Sequence, residues 1–179
     1  DVLIANSDGG FYLLDALTGD IKKEWHLGHC QSVTFGRFLE DVKQPQIIGV
    51  TGWGGEYRFL FDRDLNLKQA DFNPSERGSI PVNWDGSGVE LLLGREGLYD
   101  IFGRLLVSFP DAPRGSAQVY NFCGDLRDEV MIWTANEVCI YTQEEPFTAR
   151  RIYAPKRHPS YNYSVYGGQK SEPHWINIK

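Results

Sequence analysis

Three observations predict an all-β chain, a β-propeller of four-stranded antiparallel blades. Similar hairpin segments recur along the 179 residues, their runs alternate apolar and polar residues, and no window joins helical apolar spacing to a cap before it and glycine after it. The composition agrees, with 19 Gly, 9 Pro, 5 Trp, 9 Tyr and 10 Phe.

The recurring segments are Tyr12-Leu13-Leu14-Asp15, Arg58-Phe59-Leu60-Phe61-Asp62, Leu98-Tyr99-Asp100 and Cys139-Ile140-Tyr141-Thr142. Each runs into a short polar turn and resumes as a second extended run, which is how a β-hairpin reads. The four turns are Ala16–Asp20, Arg63–Asn66, Ile101–Gly103 and Gln143–Pro146, where Gly, Asn, Asp and Pro supply the backbone angles of a tight reversal. Between Asp15, Asp62, Asp100 and Thr142 the spacings are 47, 38 and 42 residues, the length of a four-stranded blade.

A second repeated element precedes the hairpins, in Gly36-Arg37-Phe38, Val82–Leu91 and Tyr120–Val130. It reads as strand, polar glycine-containing turn, strand. The chain then divides into the end of a blade over residues 1–28, blades over 29–74, 75–115 and 116–154, and a C-terminal loop and closing segment over 155–179. That is about half of a seven- or eight-bladed ring. It begins mid-blade at Asp1 with no initiator Met, so it reads as a fragment whose missing blades come from the parent chain or from another chain.

The net charge of -6 and the dispersed 18 basic residues exclude an electrostatic footprint for nucleic acid. No apolar run is long enough to cross a bilayer, so no membrane partner is expected. Cys30, Cys123 and Cys139 lack metal spacing; Cys123 and Cys139 read as two buried thiols or as a disulfide within one blade.

The turn after Val82 resembles the Asp/Asn-Gly turns of FG-GAP propeller blades, some of which bind calcium. Its oxygen donors are Asn83, Asp85, Ser87 and Glu90, and the corresponding later turn has Cys123 where an acid is expected. Structural turns and a bound calcium ion are both open readings.

The C-terminal third presents, in order, Gly124–Val130, Ile140-Tyr141-Thr142, Arg151-Ile152-Tyr153, Pro159-Ser160-Tyr161, Ser164-Val165 and Pro173-His174. In order and spacing these pieces resemble the end of rhamnogalacturonan lyases, polysaccharide lyase family 11, over residues 118 to 175, with weaker blade-like similarity over 29 to 117. The resemblance implies a secreted eight-bladed propeller that cleaves the pectin backbone between rhamnose and galacturonate by β-elimination, with bound calcium. It implies a plant polysaccharide as partner and an extracellular or periplasmic setting, the cytoplasm remaining open. The chain departs from the family after Ser164-Val165, where Tyr166–Glu172 replaces a longer stretch. A sister group of propellers that act on rhamnose linked to a uronic acid, as in plant gums, fits as well.

Uronate elimination requires a cation to neutralise the carboxylate, a base for the C5 proton and an acid for the leaving oxygen. The Pro-bounded loop from Pro155 to Tyr166, without a strand pattern, offers His158 as base or relay, Tyr161 as base or acid, and Arg157 as carboxylate partner, with Tyr163 and Tyr166 as further substrate contacts. In the alternative reading, Tyr161 and Tyr163 pack the last blade while Arg157 and His158 face solvent. His29, before an inner strand, is a third catalytic candidate or else a partner of a neighbouring blade; His26 reads as surface. Arg37 is a substrate-binding candidate. Trp53, flanked by Gly52 and Gly54, is placed to stack on a sugar ring. Trp84 reads as a plug between blades, and Trp25, Trp133 and Trp175 as packing. A non-catalytic carbohydrate- or protein-binding propeller and a rhamnosidase on the same scaffold are the alternative functions.

Overall fold

A computed structural model describes residues 1–52, 57–72, 80–157, 171–172 and 174–178. They are all-β. The first sheet orders β1 (Val2–Asn6), β2 (Gly10–Leu14) and β3 (Ile21–Trp25). The second is the four-stranded meander β4 (Cys30–Gly36), β5 (Gln46–Thr51), β6 (Tyr57–Phe61) and β7 (Leu67–Phe72). The third repeats that order in β8 (Ile80–Val82), β9 (Leu91–Leu93), β10 (Gly97–Tyr99) and β11 (Leu105–Ser108). The fourth has β12 (Ser116–Tyr120), β13 (Glu129–Trp133) and β14 (Val138–Tyr141). Beyond it, β15 (Arg151–Tyr153) pairs with β18 (Trp175–Asn177), and β16 (Lys156–Arg157) with β17 (Ser171–Glu172). All pairings are antiparallel, and among the described residues no helix is long and apolar enough to cross a membrane.

Successive side chains of a strand point to opposite faces, so a strand that is apolar at consecutive positions can be buried on both. Ile47 and Phe61 of the second sheet join Phe11 and Leu13 of the first in one core cluster. Their chain neighbours Ile48 and Leu60 face the other way, against Leu92 and Ile101 of the third sheet. Leu93 and Leu98 of that sheet then turn to Val119, Val130 and Ile132 of the fourth. The sheets therefore stack face to face in chain order, each interface filled by one parity of the strand residues.

Three hairpin turns share one device. The Oδ1 of Asp15 accepts the amides of Leu17 and Thr18 at 2.9 and 3.2 Å. Asp62 accepts those of Asp64 and Asn66 at 3.0 and 2.9 Å, and Asp100 those of Phe102 and Arg104, both at 2.9 Å. In all three the ladder shifts register one residue before the aspartate, and a cation beyond the turn pairs with the carboxylate: Lys22 at 3.1 Å, Lys68 at 3.1 Å and Arg104 at 2.7 Å. Such side-chain-to-backbone bonds hold the reversal that the turn residues permit.

The fourth expected hairpin is a correction. Thr142 stands where the other turns have aspartate, and the Gln143 amide donates instead to the Asp128 carbonyl at 2.7 Å. Without the carboxylate staple, Gln143–Pro146 does not fold a strand back onto β14, and the next described strand, β15, pairs with β18. The Pro155–Tyr166 stretch, expected to lack strand pattern, begins with the short β16. The cysteine expectation is corrected too: Cys123 and Cys139 are free thiols and Cys123 is exposed. Cys30 is buried, and burial pushes its thiol up to about 11.

Asp15 is held at about 2, below its ordinary 3.8, by the Leu17 and Thr18 amides and by Lys22. For Asp62, burial raises the pKa, but bonds from Asn66, Lys68 and Asp64 outweigh it and hold the carboxyl at about 2. A carboxyl whose folded pKa lies below its unfolded one stabilises fully above the unfolded value and loses that stabilisation as pH falls through the folded one. Thermal stability is therefore expected to fall between about pH 4 and pH 2, and Asp62→Asn to flatten part of that slope. At neutral pH, Asp62→Ala should cost about 1–3 kcal/mol, read by denaturant unfolding.

Candidate functional site

Strand direction sorts the candidate residues into two ends. His29 immediately precedes β4 and Arg37 immediately follows it, so the seven residues of that strand separate them by roughly 25 Å at about 3.3 Å per residue. They do not converge on one small site. Trp53, His158, Tyr161, Tyr163 and Tyr166 lie outside the described residues. Arg157 is placed through its backbone, paired with Ser171 in the β16–β17 ladder, and β17 lies beside β4.

At the Arg37 end the loops after the first strands are locked to the next sheet. The Arg37 amide donates to Glu90 Oε2 at 2.9 Å and the Glu90 amide returns to the Arg37 carbonyl at 2.7 Å. One sheet further, the Asn83 amide donates to Asp128 Oδ2 at 2.7 Å and the Asp128 amide returns to the Asn83 carbonyl at 2.9 Å. Position for position these are the same latch: the residue after one sheet's first strand joins the residue before the next sheet's second strand.

The C-terminal segment closes this end. Tyr153, fully buried, donates its hydroxyl to Glu90 Oε2 at 3.2 Å and its amide to Gly86 at 2.9 Å, and its carbonyl accepts the Asn83 side-chain amide at 2.6 Å. Trp175 meets Tyr153 edge to face at 5.3 Å and lies so close to Gly88, at φ 98°, that a Cβ there would come within 2.5 Å of the indole. The Arg37 guanidinium donates to the Gly88 carbonyl and to that of Glu40, the latter at 2.8 Å, so it binds the loops together. Nearby, burial raises the Asp125 carboxyl, but Arg127 outweighs burial and holds it below its ordinary value.

Asn83 Oδ1 is buried without a hydrogen-bond partner, but together Asn83, Asp85, Ser87 and Glu90 leave fewer uncommitted oxygens than the six to eight that calcium takes. Glu90 Oε2 faces the Arg37 amide and the Tyr153 hydroxyl, Asp85 Oδ1 accepts the Ser87 amide at 2.9 Å, and the Asn83 amide is turned to the carbonyls of Tyr153 and Leu126. Among the described residues no group of three or more His, Cys, Asp or Glu could hold a metal ion.

The opposite end carries His29 and an open cleft. His29 Nδ1 lies 3.2 Å from Asp8 Oδ1, the ring partly covered and the carboxylate in solvent. The Gly52 amide donates to the His29 carbonyl at 2.9 Å, fixing the start of β4. His26 is exposed, as the sequence suggests, with Nδ1 3.0 Å from the Gly9 carbonyl. The cleft, of about 980 Å³, lies at this end between the β9–β10 turn and the β11–β12 connection. Leu93, Phe109 and Ile132 form its floor, and Arg95, Glu96 and Arg114 stand exposed at its rim.

Sequence reasoning missed Asp8, Arg95 and Arg114. The signal for the arginines was their place beside glycine in short turns, Gly94-Arg95-Glu96-Gly97 and Pro113-Arg114-Gly115. No protein-family model, no curated protein and no solved structure matches this chain.

Because Glu90 serves two donors in the interior, Glu90→Ala is expected to destabilise the fold by about 2–4 kcal/mol with or without calcium, whereas Asp85→Ala should cost under about 1 kcal/mol. Urea unfolding of both variants, with calcium and with EDTA, checks this; a Glu90 effect that vanished in EDTA would contradict the latch.

Proposed function

We propose that the chain supplies consecutive blades of a β-propeller that cleaves a rhamnose–uronate linkage of an acidic plant polysaccharide by β-elimination. The blade reading draws on the face-to-face stacking of the sheets and on the first strands, β4, β8 and β12, lying side by side in chain order, as strands around a propeller axis do. The chemical reading draws on the ordered C-terminal motifs and, among the described side chains, on His29.

The observation that carries it is the His29–Asp8 pair at 3.2 Å. A carboxylate beside an imidazole orients the ring and stabilises the cation formed when the ring takes a proton. In this reading His29 takes the C5 proton of the uronate, the C5–H electrons form the C4–C5 double bond, and the C4–O bond breaks with protonation of the leaving oxygen. Tyr161, outside the described residues, remains the nominee for that last proton, with His158, also outside them, as base or relay.

The test is incubation with rhamnogalacturonan I and with a rhamnose-capped arabinogalactan, followed by the absorbance of the unsaturated uronate near ~235 nm, with calcium and with EDTA. His29→Asn is expected to lower the rate by about 10²–10⁴ with the thermal midpoint unchanged, the range of a lost general base. Free rhamnose without the absorbance would replace elimination by hydrolysis. Binding with neither product would make the propeller a recognition module, a reading that the commitment of Arg37 to backbone carbonyls favours.

A further inference from the structure

We propose that the cleft between the third and fourth sheets is a binding site for a carboxylate-bearing oligosaccharide, gripped through Arg95 and Arg114. The sugar part of this inference rests on the carbohydrate reading above; the carboxylate part rests on the cleft alone.

The cleft's shape is built by the backbone. On one wall the Gly94 amide bonds the Gly97 carbonyl at 2.9 Å, closing the turn that carries Arg95 and Glu96. The Phe109 amide donates to the Glu96 carbonyl at 2.7 Å, and the Ala112 amide to the Phe109 carbonyl at 3.1 Å, so both walls are tied together at their base. On the other wall Gly115 lies against β13 so closely that a Cβ would come within 1.9 Å of the Trp133 carbonyl oxygen, which sets where Arg114 leaves the chain. The floor is rigid: Phe109 stacks on Tyr141 with centroids 4.2 Å apart and packs against Trp84 at 5.9 Å. A volume of about 980 Å³ is at the upper end of that found for ligand clefts, roomy enough for more than one sugar ring.

The charge is what selects the ligand. Arg58 is committed to the Ile101 carbonyl, Arg104 to Asp100 and Arg127 to Asp125. Arg95 and Arg114, in contrast, form no ion pair or hydrogen bond among the described residues, although the chain carries a net charge of -6. Two guanidinium groups over an apolar floor, with Glu96 as the one acid among the lining residues and Asp111 beside them in the β11–β12 connection, present forked donors that match carboxylates in pairs. A chain of uronates offers such carboxylates at regular spacing, and its ring C–H faces suit the Leu93 and Ala112 surface.

The probe is trigalacturonate, titrated calorimetrically into the protein and into the double variant Arg95→Ala/Arg114→Ala, with its methyl ester and hexaglutamate alongside. Both arginines are exposed, so the variant should keep its thermal midpoint. Trigalacturonate is expected to bind, the double variant to lose roughly 30-fold or more, and the ester to lose a similar factor, as for the removal of charged hydrogen bonds. Affinity undiminished in the variant or for the ester, or no binding at all, overturns the site. Equal affinity for hexaglutamate overturns the saccharide class. Elimination measured on the same proteins separates the two readings. Turnover by the variant with unchanged KM sinks the cleft and leaves the lyase standing; arginine-dependent trigalacturonate binding without elimination does the reverse.

Discussion

The joints between sheets depend on two buried carboxylates. Glu90 and Asp128 each accept an amide from the preceding sheet and return their own amide to the same residue. An interior carboxylate is costly unless its acceptor capacity is used, and a loop amide buried without a partner is costly too, so each latch answers two problems with one contact. It also sets geometry, because a reciprocal pair fixes both the separation and the tilt of two chains. Gln46 and Glu129 act within their own sheets in a parallel way: each opens a second strand and folds back onto two successive amides, Phe38 and Leu39 for Gln46, Phe122 and Cys123 for Glu129.

The repeat was legible because its causes are local. The Asp15, Asp62 and Asp100 turns are complete within a few residues; that both faces of these strands are covered shows only in the structure, where Ile47 and Ile48, and Leu92 and Leu93, pack into different clusters. The fourth unit was misjudged because apolar alternation through Cys139-Ile140-Tyr141 continues the pattern while the residue that closes the turn does not. A threonine hydroxyl offers one short acceptor where the aspartate carboxylate satisfies two amides and still meets a cation. The single position mattered more than the run before it.

The candidate site was less legible, since it depends on which end of each strand a loop occupies. His29 and Arg37 are close in sequence, yet a strand of seven residues puts them at opposite ends of a sheet. Asn83 and Glu90 read as oxygen ligands in a glycine-rich turn, but the Arg37 amide and Tyr153 hydroxyl that donate to Glu90, and the Tyr153 carbonyl that accepts the Asn83 amide, come from other sheets and are invisible to local pattern. Arg95 and Arg114 belong to different turns, 19 positions apart, and only the pairing of β9 with β10 and of β12 with β13 brings both to one cleft.

The two ends therefore differ in kind. At the Arg37 end Glu90, Asp128, Arg37 and Tyr153 are engaged across sheets and covered by the C-terminal strands, although Asn83 Oδ1 is buried without a hydrogen-bond partner, so a ligand entering there would have to displace bonds that hold sheets together. At the His29 end the cleft turns expose Arg95 and Arg114 without ion-pair or hydrogen-bond partners among the described residues, while the backbone beneath them is fixed by close-packed glycines and by the stacked Phe109–Tyr141 pair. Binding needs groups that are unsatisfied in the free protein yet held in place, because satisfied ones gain nothing and mobile ones lose the gain to ordering. By that criterion the end that stabilises the fold is the poorer place for recognition, and the cleft beside Arg95 and Arg114 is the better one.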